Sequence, residues 1–149
     1  MNAAGWRISV VCPHHAPGQS GPMEPTVLDT AGIDPEVWDD PVRGVVSFRV
    51  VFSADRTPTS GLYTGLTDLA PGGWLGRHRH SHDEVYQIVE GSGVVVLDGR
   101  EQPVQVGSAV FIPGDVEHGI RNTADIPLRF VYAFATDAVD DVVYRWAEG

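Results

Sequence analysis

A chain of 149 residues, 42% of them hydrophobic, can form one globular domain with a proper core and is too short for two. Its formal charge of -10, from 20 acidic and 10 basic residues, argues against binding nucleic-acid phosphates, and no apolar run approaches the roughly 20 residues that span a bilayer. Every basic residue is arginine, so Schiff-base chemistry, a covalently held pyridoxal cofactor and a Gly-Lys-Ser/Thr phosphate loop are all excluded.

Residues 1–37 lack hydrophobic period and are broken by Pro13, Pro17, Gly18, Pro22, Pro25 and Pro35. They are expected to be a partly disordered lead-in, with room for one short strand at Ile8-Val11 that could add to a sheet edge. His14 and His15 fall in this lead-in and are expected to be solvated. Cys12 is the only cysteine, so neither an internal disulfide nor a thiolate zinc cluster is available. No basic stretch followed by an apolar core opens the chain, and the expected residence is cytoplasmic.

Residues 38–149 are expected to form the barrel domain. Val45-Phe52 alternates like a half-buried strand, with Val46, Phe48 and Val50 on one face. Gly61-Leu69, Trp74-His80, Glu84-Val89, Gly93-Leu97, Val104-Val106, Ala109-Ile112, His118-Arg121 and Leu128-Ala135 follow at short intervals. Turn sequences separate them, among them Asp98-Gly99, Pro113-Gly114-Asp115 and Asn122-Thr123-Ala124-Asp125. Many short strands and no long segment of helical period predict an all-β barrel or jelly roll, with a helical turn only within Thr136-Trp146. Phe111, Phe130, Tyr132 and Phe134 are expected to pack the barrel.

Between Gly72 and Asn122 lie four of the six histidines, in two glycine-framed clusters. The first places His78, His80 and Glu84 between Gly72 and Gly91; the second places Pro113, Asp115 and His118 between Gly107 and Asn122. On a strand, residues two apart share a face, so His78 and His80 project together and Arg77 and Arg79 point away. His118 belongs to a later strand that must pair nearby. Three imidazoles and a carboxylate suit one divalent transition metal (Fe, Mn, Zn, Ni or Co) and leave coordination positions open, as a catalytic site requires. Ser81-His82-Asp83 is expected to turn, leaving His82 at the rim as a supporting or substrate-contacting group. Tyr86 shares the parity of Glu84. It can serve as a general base with its pKa lowered by a cation, or as a wall residue with a hydrogen-bonded hydroxyl. Trp74 has the parity of His78 and belongs either to the pocket or to the core. Asn122 is expected to satisfy turn backbone groups.

These two clusters resemble the motifs of the cupin superfamily. The first matches at every fixed position; the second matches at Gly107, Pro113, His118 and Asn122 but has Asp115 where the pattern usually has glycine, with Gly114 beside it to take up strain. The resemblance implies a double-stranded β-helix (jelly-roll barrel) holding one metal through His78, His80, Glu84 and His118. From about Trp38 to Trp146 the chain is further similar to cupin-type dimethylsulfoniopropionate lyases. The likeness lies in Gly61-Leu62, Leu69-Ala70-Pro71-Gly72-Gly73, the His78/His80/Glu84/Tyr86 set, Glu117-His118, Thr136-Asp137 and Val142-Val143-Tyr144. In those lyases a tyrosine at the place of Tyr86 is implicated in proton abstraction. The resemblance also implies a homodimer, for which Val45-Phe52 and the N-terminal segment are the candidate interface.

Three functions compete. The first is a metal-dependent enzyme acting on a small carboxylate-bearing substrate by elimination or isomerisation. The second is an Fe(II)-dependent dioxygenase, and the third a non-enzymatic small-molecule-binding barrel.

Overall fold

The computed structural model describes residue 23 and residues 25–147. The strand expected at Ile8-Val11, together with Cys12, His14 and His15, lies outside the described residues. The first strand is β1 (Glu36–Asp40), followed by β2 (Gly44–Phe52), β3 (Tyr63–Leu69), β4 (Trp74–Arg79), β5 (Glu84–Glu90) and β6 (Ser92–Leu97). Then come β7 (Arg100–Gln105), β8 (Ala109–Ile112), β9 (His118–Asn122), β10 (Leu128–Phe134) and β11 (Arg145–Trp146). Two single turns of 3-10 helix complete the elements: Val139–Asp141 falls in the segment expected to hold a helical turn, and Thr30–Gly32 lies outside it.

All strand pairs are antiparallel and join into one curled sheet in the order β7-β6-β9-β4-β2-β3-β10-β5-β8, with β1 added to β2 and β11 to β4. Alternation drives the curl: β2 buries Val46, Phe48 and Val50, and β10 buries Leu128, Phe130, Tyr132 and Phe134, all turned towards one interior. Asp98 and Gly99, both with positive φ, make the tight turn between β6 and β7. That turn starts β7 at Arg100, earlier than its polar sequence suggests. Pro103 is tolerated there because β7 ends the sheet path and one edge of it needs no ladder partner.

One sequence expectation fails here. Phe111 is 62% exposed: β8 turns Val110 and Ile112 inward, which sends Phe111 to the outer face opposite Val85. Along β2, β1 pairs one side over Gly44–Phe48, while β4 at Gly44 and Val45 and β3 from Ser47 onward share the other.

The turns flanking the two histidine clusters are tied to each other. Gly114 N–H donates to Asp83 Oδ1 at 2.8 Å, and Asp115 N–H donates to the His80 carbonyl at 2.7 Å. Asp115 itself adopts φ 65°, so the strain stays on the non-glycine residue and is not passed to Gly114 as the sequence suggests. Gly114 is required for a different reason: a Cβ there would lie 2.3 Å from the Ser81 carbonyl oxygen. Gly114→Ala is therefore predicted to destabilise the fold by about 1–3 kcal/mol in urea titration. Gly32→Ala, at a position with nothing within 4 Å, should stay within about 0.5 kcal/mol of wild type.

Candidate metal centre

His78 lies on β4, His80 just after it, Glu84 opens β5 and His118 opens β9. The β4–β9 ladder sets His78 opposite His118, so two imidazoles come from adjacent strands of one wall. Glu84 enters from β5, which stands four strands away from β4 along the sheet and meets it only because the sheet curls. One ligand atom from each of the four residues falls within 4.8 Å of the others, and all four side chains are buried.

The hydrogen bonds fix which nitrogen faces inward. Nδ1 of His78 is 2.8 Å from the Gly76 carbonyl, Nδ1 of His80 is 2.9 Å from that of His82, and Nδ1 of His118 is 2.9 Å from that of Val116. A carbonyl only accepts, so each Nδ1 carries the proton and each neutral ring turns an Nε2 lone pair inward. Nε2 of His80 and of His118 each stand 3.1 Å from the same Glu84 oxygen. Lone pairs and a carboxylate thus converge with no proton between them while the rings are neutral, and a cation is what such an arrangement lacks. The donor set, three nitrogens and one oxygen with backbone-fixed tautomers, fits a divalent transition metal. Burial, with His118 nearby, pulls the His78 pKa down from 6.5 to about 3, keeping it an unprotonated donor. Burial alone would raise the Glu84 carboxyl, but His118 and His80 facing it outweigh that and hold it below its ordinary value.

Arg77 and Arg79 point outward as expected, each pairing with Glu117 on the exterior. His82 contributes its carbonyl to His80; its half-buried ring has an unpartnered Nδ1 and does not line the cavity beside His78 and Glu84. Trp74 does not line that cavity either. The β4–β9 register slips between Leu75 and His78, a bulge that turns Leu75 inward with His78 and leaves Trp74 on the other face. Tyr86 does reach the cavity, and its buried hydroxyl has no hydrogen-bond partner, contrary to an ordinary wall tyrosine. Asn122 behaves as expected: its amide donates to the Leu69 and Ile126 carbonyls and accepts from Ala124 N–H.

Several cavity residues escape a sequence reading. Trp38 enters from β1, packing edge-on against Phe48 at 4.8 Å between ring centroids and against Trp146 at 5.5 Å. Tyr144 and Trp146, stacked at 5.7 Å, lie over His78 at 5.1 and 5.0 Å. Tyr63 and Tyr132 complete the wall, so all four tyrosines of the chain face this one space. Strand parity was the available signal for Tyr63 and Tyr132, but parity alone does not separate cavity from packed core.

Comparison with known proteins agrees with this geometry. Residues 65–134 match the cupin domain family. Over 132 residues the chain is 34% identical to dimethylsulfoniopropionate lyase DddW of Ruegeria pomeroyi, spanning 89% of this chain and 86% of that one. The chain is a cupin. This cupin also superposes on the crystal structure of a predicted oxalate decarboxylase from Thermotoga maritima, with a TM-score of 0.65 and 25% identity over 74% of this chain and 99% of that one. A shorter match, 36% identity over 64 residues, joins it to gentisate 1,2-dioxygenase of Ralstonia sp, covering 41% of this chain and 18% of that enzyme. The all-β jelly roll expected from the clusters is therefore the fold of the family. Among the described residues no helix is long and apolar enough to cross a membrane.

Two outcomes test the centre. Zinc or nickel at a hundredfold excess over its dissociation constant should stabilise the protein by about 2.7 kcal/mol in thermal denaturation, and Glu84→Ala or His118→Ala should abolish that gain. In the metal-free protein, the unfolded chain protonates His78 near 6.5 whereas the folded chain does so only near 3. Stability is thus complete above about pH 6.5 and lost as pH falls from there towards 3. His78→Asn should flatten that decline in a series of melting temperatures.

Proposed function

We propose that this cupin is a metal-dependent enzyme that removes a proton from a small carboxylate-bearing substrate, with Tyr86 as the base and His78, His80, Glu84 and His118 as the metal ligands. The observation that carries this reading is the Tyr86 hydroxyl: buried, unpartnered, on the cavity wall and two residues from Glu84. Burial, then the Glu84 charge, pushes that phenol well above its ordinary pKa, so in the metal-free protein it is a poor base. A bound divalent metal supplies Lewis-acid polarisation and a positive charge that lowers the phenol's pKa. Tyr86 then holds and accepts the proton at its Oη, while the aromatic walls exclude bulk water.

The likeness to DddW suggests the reaction to test first. In β-elimination of dimethylsulfoniopropionate, Tyr86 Oη takes the proton next to the carboxylate. The C–H electrons form the new double bond, and the C–S pair leaves with dimethyl sulfide, giving acrylate. The chemistry of the wall suits such a substrate: no arginine lines it, and Trp38, Phe48 and Tyr144 give it an aromatic surface for a sulfonium. Tyr86→Phe is predicted to lower acrylate release by about 10²–10⁴-fold with metal content unchanged. Full turnover in that variant would sink the assignment.

A dioxygenase is the second reading, favoured by the mixed nitrogen and oxygen ligand set and by the match to gentisate 1,2-dioxygenase. Oxygen uptake with Fe(II) and none with Zn(II) would select it, whereas turnover with redox-inert zinc selects elimination. Stoichiometric binding of the substrate with no turnover on any metal would make the barrel a binding protein instead.

A further inference from the structure

Away from the ligands, the cavity wall holds a second built feature, the hydroxyl pair of Tyr63 and Tyr132. Their oxygens are 3.0 Å apart in a buried setting, and the rings meet edge to face at 5.4 Å. Two phenols bring two protons, and one bond between them uses one, so the pair keeps a donor for something else. Both rings line the cavity, and Tyr132, 5% exposed against 1% for Tyr63, is the less enclosed of the two. Burial holds both phenols above their ordinary pKa, Tyr63 at about 12, so both stay protonated as donors.

The place of Tyr132 is prepared by the opposing strand. In the β3–β10 ladder it faces Gly65, and a Cβ on Gly65 would lie 2.1 Å from the Tyr132 hydroxyl oxygen. Any other residue at position 65 would drive the ring off its seat. On β5, Tyr86 stands directly opposite Tyr132 in the ladder, so the spare donor and the unpartnered phenol open onto the same space.

We propose that the Tyr132–Tyr63 pair is a carboxylate subsite: its free hydroxyl donates to a carboxylate oxygen of the substrate, a task for which the arginine-free cavity wall offers no cationic side chain, and Gly65 provides the room that sets its position. This rests on the proton-abstraction reading above and adds to it the residues that orient the substrate. A hydrogen bond from a neutral phenol to an anion gives direction without a fixed charge that would repel a cationic group on the same substrate.

Calorimetry with propionate on the zinc-loaded protein tests the subsite without turnover. Tyr132→Phe should bind propionate roughly tenfold more weakly or worse, and Tyr63→Phe, which removes only the orienting partner, should lose less. Both variants should bind imidazole, an uncharged metal ligand, as wild type does. Unchanged propionate affinity in Tyr132→Phe overturns the proposal. So does an equal loss of imidazole binding, which would mark a packing defect, or the absence of propionate binding by wild type. With dimethylsulfoniopropionate as substrate, Tyr132→Phe should raise KM more than it lowers kcat, unlike Tyr86→Phe. A wild type that releases no acrylate defeats the elimination reading alone, since the propionate measurement still decides the subsite.

Discussion

Three backbone carbonyls govern this molecule. Those of Gly76, His82 and Val116 each accept a hydrogen bond from an imidazole Nδ1, and by doing so they turn three Nε2 lone pairs inward, two of them 3.1 Å from one Glu84 oxygen. In a buried setting, that much unshared electron density is costly without a positive charge among it. The fold bears this cost through rigidity: the Gly76 carbonyl belongs to β4, and those of His82 and Val116 to the segments that lead into β5 and β9. The cross-links between the 81–83 and 113–115 turns keep the two clusters in step. A cation entering the site therefore meets a formed cage and does not have to gather loose ligands.

Around that cage the wall is aromatic and neutral. Four phenols, with Trp38 and Phe48, surround ligands whose only formal charge is the Glu84 carboxylate. In a buried space electrostatic effects are stronger than in bulk water, so one bound ion would dominate the charge balance of the cavity. The phenols differ by their partners, not by their chemistry. Tyr63 and Tyr132 share one hydrogen bond and keep one donor between them, whereas the Tyr86 hydroxyl has no hydrogen-bond partner.

The sequence was most legible where chemistry and period coincide. His78, His80, Glu84 and His118 stand out because ligand-type side chains fall at strand parity between turn residues, and the four do converge. The buried face of β2 and the outward turn of Arg77 and Arg79 follow from alternation alone. What stayed hidden has physical causes. β1 and β7 are polar strands added at margins of the sheet, and nothing in their hydrophobicity distinguishes them from loops. Phe111 is apolar yet outward because parity, not hydrophobicity, decides its face. Trp74 was misread because a bulge is a tertiary event: it follows from how β4 meets β9, and no local composition announces it.

That extra residue in β4 makes the centre's polarity depend on a bulge. If the strand kept all its residues but ran on from Leu75 in plain alternation, both imidazoles would swing to solvent and the two guanidinium groups beside them would enter the interior. An anion trap would then stand where a cation belongs. Losing one codon between Leu75 and His78 would remove the bulge and leave His78 and His80 on the inward face, so the irregularity, and not the strand's length, sets the sign of the charge inside.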